Sequence, residues 1–226
     1  IATPLTTSYL EVRLIHNTVA NNDSTATTAN AFPPGNLSLS DAQPAGIVGM
    51  SHSAALQGAF GAGFEQTHSS PVIHDNIIWR NRSFRYDTSL NGGLGGLTPD
   101  PSAPVYWDLA VVGTPVPEAL SPQYCLLTST AGTPATNLTG DPAFALGYVN
   151  TLFTAQVTDE GGNSITVRFS PIQEEAGDYH LTSASDAINA GGGVFLATFP
   201  ELSLDADGEG RPLGAGPDIG ADEHYD

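Results

Sequence analysis

Short apolar runs alternate along the chain with polar corners, and one pair of these units matches. Leu14-Ile15-His16-Asn17-Thr18-Val19-Ala20-Asn21-Asn22 resembles Ile73-His74-Asp75-Asn76-Ile77-Ile78-Trp79-Arg80-Asn81 at a constant offset of 59 residues. In each, an apolar residue leads into a His-containing polar step, then Asn, a short β-branched run and Asn again. Side chains on a strand alternate between its two faces, so Val19 and Ile78 are expected to point into a core. Asn tolerates left-handed backbone and bonds nearby backbone groups through its amide, which makes Asn17 and Asn76 the expected corner residues. Stacked strand on strand, such amides form ladders. His16 and His74 are read as equivalent steps of the match, stacked at the same corner.

Other apolar runs predict further strands at Gly46–Met50, Val105–Val112 and Gln123–Leu127. Gln156–Thr158 and Ser164–Phe169 flank Asp159-Glu160-Gly161-Gly162-Asn163 and read as a β-hairpin with a Gly-rich turn. The polar stretches from Asn22 to Pro44 and Ser51 to Ser70 are expected to be long loops. The fold expected is therefore all-β: a right-handed parallel β-helix, a solenoid with long loops and one projecting hairpin. It would form a single domain over residues 1–226, with 171–226 as the closing region.

Composition supports many turns and excludes several partners. Gly (25) and Pro (17) are abundant and charged residues make up only 13% of the chain, which suits short strands rather than a helical bundle. All six basic residues are arginine against 24 acidic ones, for a formal net charge of −18. Such a surface repels nucleic acid and anionic membranes. No run approaches the ~20 apolar residues of a membrane span. Cys125 is the single cysteine, so no disulfide forms within the chain.

The ending carries a family resemblance. Its blocks are Gly177-Asp178-Tyr179-His180-Leu181, Ser185-Asp186-Ala187-Ile188-Asn189-Ala190-Gly191, Asp205-Ala206-Asp207-Gly208-Glu209-Gly210-Arg211-Pro212 and Asp218-Ile219-Gly220-Ala221-Asp222-Glu223. Their order, after Asn76-Ile77-Ile78-Trp79, Tyr124-Cys125-Leu126-Leu127 and Asn137–Phe144, is similar to the C-terminal signature of bacterial β-helix surface proteins of the choice-of-anchor Q and polymorphic-outer-membrane-protein-like type. The sequence departs from that pattern at Asp186, where Pro is commoner. The resemblance implies a pectin-lyase-like superhelix, an extracellular or cell-surface location, and a longer upstream solenoid. It also implies a structural or adhesive role without chemistry.

Asp205, Asp207 and Glu209 are the first candidates for a cation. Oxygen donors at alternate positions around Gly208 suit Ca²⁺. The competing reading is an Asx turn whose carboxylates bind backbone N–H groups, with Arg211 paired to Asp218 or Asp222. Asp75, Asp87 and Asp108, near Arg80, Arg82 and Arg85, are the residues from which a lyase or glycosidase site would be built. That alternative makes the chain the C-terminal part of a polysaccharide-degrading enzyme. The favoured expectation has no catalytic residues. The partner is another protein chain (the upstream solenoid, a second copy or an unrelated surface protein) and a polysaccharide is a further candidate. Contact would come through the loop face or through an uncapped end at Ser8–Leu14, with Ile1 as a processing or truncation point.

Overall fold

A computed structural model describes residues 12–60, 67–113, 119–147, 153–158, 164–169 and 177–225. The strands, in order, are β1 (Arg13–Ile15), β2 (Thr18–Ala20), β3 (Asp23–Ser24), β4 (Ile47–Met50), β5 (Val72–His74), β6 (Ile77–Trp79), β7 (Arg82–Ser83) and β8 (Arg85–Asp87). There follow β9 (Gly96–Thr98), β10 (Leu109–Val112), β11 (Leu126–Leu127), β12 (Leu138–Thr139), β13 (Phe144–Leu146), β14 (Phe153–Thr158), β15 (Ser164–Phe169) and β16 (Asp178–Leu181). One two-turn helix, α1 (Ala54–Phe60), lies between β4 and β5.

The internal match is a strand register. β1 pairs with β5, β2 with β6 and β3 with β7, all parallel, through Arg13↔Val72, Thr18↔Ile77 and Asp23↔Arg82. This register corrects one equivalence: the partner of His74 is Ile15, not His16, and His16 corresponds to Asp75. It also relocates the left-handed corner. His16 (φ 51°), Asp75 (φ 55°) and Tyr124 (φ 51°) carry it, one residue before the expected Asn17 and Asn76.

The asparagines fasten the corners from the next position. Asn76 Oδ1 accepts from Asn17 N (2.7 Å) and Nδ2 (3.1 Å), while its own Nδ2 donates to the Leu14 carbonyl at 2.7 Å. Asn81 repeats the arrangement with Asn22 and the Val19 carbonyl. Further along, Cys125 Sγ takes the place of an amide opposite Asn76, and Asn137 Oδ1 accepts from Cys125 N. Buried amides with every group bonded stabilise by about 1 kcal/mol per bond, and an unpaired one costs more.

The largest sheet is four-stranded, in the order β12-β11-β6-β2, and alternation buries both of its faces. Ile78 and Leu127 join Ile73, Leu120 and Cys125 on one face, with Val19 and Leu14 packed against them. Ile77 and Leu126 join Leu181, Ala187 and Ile219 on the other. The closing stretch therefore covers a sheet face. Gly220 lies on that face with a positive φ of 110°, and a Cβ there would sit 2.7 Å from Ile77 Cδ1.

The right-handed solenoid is not what the described residues form. They make seven small sheets, six of them two-stranded, and three of these pairs are antiparallel: β8–β9, β13–β16 and β14–β15. A solenoid requires each rung to extend every sheet of the last. After β8 the chain instead turns back on itself through Asn91, Gly92, Gly93 and Gly95, all at positive φ, and β9 runs antiparallel. Strands of two to four residues elsewhere leave several pairs without a third neighbour. The result is a strand-rich fold of mostly parallel small sheets. The expected hairpin is present as β14–β15, from Phe153↔Phe169 to Thr158↔Ser164. Its Gly-rich turn and residues 8–11 of the expected N-terminal strand lie outside the described residues. No helix among the described residues is long and apolar enough to cross a membrane.

Candidate functional site

Two histidine–carboxylate centres occupy the region where the closing stretch meets the sheet. The outer one is built on β16. Asp178 and His180 lie two apart on this strand and so share a face, and the Asp178 carboxylate holds His180 Nδ1. His180 Nε2 reaches Asp207 Oδ2 at 2.7 Å. Asp222 completes the group: one donor atom from each of His180, Asp207 and Asp222 lies within 4.8 Å of the others. Asp222 is buried and anchored by Leu181 N at 2.6 Å from Oδ2. Hydrogen bonds to Asp178 and Asp207 raise the His180 pKa to about 9, so the ring is cationic at neutral pH. Burial pushes Asp222 up, with Asp205 and Asp207 adding to the push.

In the Asp205–Glu209 turn the Asp205 carboxylate is turned onto the backbone. Asp205 Oδ1 accepts from Asp207 N (3.0 Å) and Glu209 N (2.8 Å), and Oδ2 accepts from Glu223 N at 3.2 Å. Both oxygens are thus occupied by backbone, the Asx-turn arrangement. Of the three expected ligands, only Asp207 faces the His180 group.

The inner centre is Asp75, whose side chain is 0% exposed. Its carboxylate accepts from Gly192 N (2.5 Å), Gly193 N (3.3 Å) and His74 Nδ1 (2.8 Å). His16 approaches from the other side, with Nε2 3.5 Å from Asp75 Oδ2. His16 Nδ1 must donate to the Asp218 carbonyl at 3.1 Å, which leaves Nε2 of a neutral ring as a bare acceptor beside the carboxylate. Burial, then the Arg211 charge, holds the His16 pKa down at about 4 despite Asp75. His74 stacks at 5.0 Å on Tyr124 and edge-on to Phe195.

The partner of Arg211 is Glu223, not Asp218 or Asp222. Its Nε donates to Glu223 Oε2 at 3.0 Å, both side chains buried, and an Nη donates to the Gly220 carbonyl. Glu223 also accepts from Leu213 N (2.6 Å) and Asp218 N (2.9 Å). Asp218 in turn serves Asn189 N and His224 N. Sequence reasoning missed Glu223; the only available signal was a lone Arg-Pro step ahead of an acidic closing block.

The expected surface group of Asp75, Asp87 and Asp108 does not assemble. Asp75 is buried, Asp87 caps Ser89, and Asp108 Oδ1 holds Asn81 N and Nδ2 at 3.0 and 2.8 Å. The arginines are also engaged elsewhere: Arg82 with Asp23, Arg85 with Asp100, and Arg80 over the Trp79 ring. Cys125 is held as a thiol, burial pushing its pKa up to about 11.

Two hollows open among the described residues. One of about 500 Å³ is lined by Tyr106, Trp107, Asp108, Leu127 and Thr128. The other, about 430 Å³, lies between β1, β4 and α1 and is lined by Val12, Leu14, Ile47, Val48 and Leu56. No protein-family model, curated protein or solved structure matches the chain.

Proposed function

We propose that the chain is a non-catalytic structural or adhesive module of an extracellular or cell-surface protein, associating with other protein chains. The observation that carries this reading is the hollow at β1, β4 and α1, around which Val12, Val48, Met50 and Leu56 are exposed. Clustered apolar side chains beside short strand edges are a template for association. The buried acids and bases support it from the other side. Asp75, Asp218, Glu223 and Arg211 spend their hydrogen bonds on their own chain, which is structural work.

Light scattering across a concentration series tests the reading. Self-association is expected, strengthened by salt because copies of net charge −18 repel one another. Met50→Glu should weaken it. A clean monomer at high concentration and high salt, with no change in Met50→Glu, sinks the self-associating form of the proposal.

A second reading, the terminal part of a polysaccharide lyase or glycoside hydrolase, is favoured only by the cleft at Tyr106, Trp107 and Asp108. Aromatic faces beside a carboxylate suit a sugar ring. Depolymerisation of acidic or neutral polysaccharides, lost in Asp108→Asn, would replace the first reading with this one.

A further inference from the structure

We propose that His180, Asp207 and Asp222 form a site for a divalent transition-metal cation of the zinc class. The donors come from three separate segments, β16, the Asp205–Gly208 turn and the closing stretch, and converge within 4.8 Å. An imidazole nitrogen with two carboxylates is a borderline donor set that suits zinc and its neighbours, whereas calcium takes oxygen alone. The cation is therefore of a different class from the one that Asp205, Asp207 and Glu209 suggest in sequence.

Three features separate this group from a chance gathering of acids. First, the Asp178 carboxylate holds Nδ1 and so turns Nε2 to Asp207, as the outer partner of a metal-bound histidine does. Second, Asp222 is nine-tenths buried and fixed by Leu181 N, so one ligand is preorganised. Third, the carboxylates of Asp178, Asp207 and Asp222 surround one imidazole, more negative charge than the ring balances and enough to offset a dication. His180 and Asp207 are exposed, so a cation can enter, release the Nε2 proton to solvent and keep water in its remaining positions.

Calorimetric titration of the chelator-treated chain with zinc chloride, manganese chloride and calcium chloride tests the proposal. One equivalent of zinc should bind, tighter than calcium by at least about tenfold, and raise the melting temperature. His180→Gln and Asp207→Asn, both at exposed positions, should abolish binding while keeping the parent circular dichroism. Asp178→Asn should weaken it by about 10- to 100-fold, and Glu209→Gln should leave it unchanged. The proposal is overturned by absence of zinc binding at millimolar concentration, or by zinc binding that His180→Gln leaves intact. Calcium binding lost in Glu209→Gln but not in His180→Gln would also overturn it and return the site to the Asp205–Glu209 turn.

Discussion

Asp75 and Asp207 each face a histidine ring, one under the closing stretch and the other at its surface. Asp75 has no solvent and takes two glycine N–H groups as well as His74; Asp207 is half exposed and meets His180 alone. The surroundings set opposite protonation states. His16, beside Asp75, is held neutral by burial, while His180, between Asp178 and Asp207, is held cationic by its partners. A carboxylate neighbour is thus not enough to charge a histidine: desolvation outweighs it inside, and hydrogen bonding wins where water still reaches.

The comparison breaks most sharply at Asp75. Asp75→Ala strips an acceptor from Gly192 N, Gly193 N and His74 in a closed site, and should cost about 3–5 kcal/mol, measured by urea unfolding. Next is Gly192→Ala, whose Cβ would lie 2.7 Å from Tyr124 Cγ and 2.8 Å from His74 Cε1. That clash should cost about 1–3 kcal/mol with the Asp75 bonds still in place. His180→Gln in metal-free protein should cost no more than about 1 kcal/mol at neutral pH, because the clasp is solvent-screened.

The pH dependence sharpens the contrast with the smallest signals. The folded pKa of His16, about 4, lies below the ordinary histidine value of 6.5. As pH falls from 6.5 towards 4 the unfolded chain takes up a proton that the folded one refuses, and stability falls. The folded pKa of His180, about 9, lies above the same reference. Its contribution is complete below pH 6.5 and is lost as pH rises through 9. Melting temperature in metal-free protein should therefore decline on both sides of neutrality. His16→Asn should flatten the acid limb and His180→Gln the alkaline limb; an alkaline limb unchanged in His180→Gln would refute its assignment.

The sequence carried the strand pairing better than the architecture. A match at an offset of 59 became the register of three strand pairs, because identical spacing between corners lets each short strand meet its counterpart. Asn76 was legible as a residue that fastens its neighbour strand, though the corner itself lies one residue earlier at Asp75. The solenoid was not, since local resemblance says nothing about whether a later segment extends a sheet or folds back, as Asn91 to Gly95 do. Asp75 looked like a surface acid because its burial depends on Gly192 and Gly193, more than a hundred residues away. The pairing of Arg211 with Glu223 was hidden among equivalent acids, where only packing selects the partner.

The shared register of β1–β5, β2–β6 and β3–β7 also bears on how the chain finds its fold. Bringing Arg13 to Val72 closes one long loop, and the next two strand pairs then fall into place with little further loss of chain entropy. One search serves three pairings. Because closure entropy grows only logarithmically, doubling the connecting length adds about 0.6 kcal/mol. The exposed tip at Gly35–Leu37 lies within that connection. Extra chain spliced there should slow assembly modestly and leave the three pairings in the same register, so the connection can accept new sequence without renegotiating the sheet.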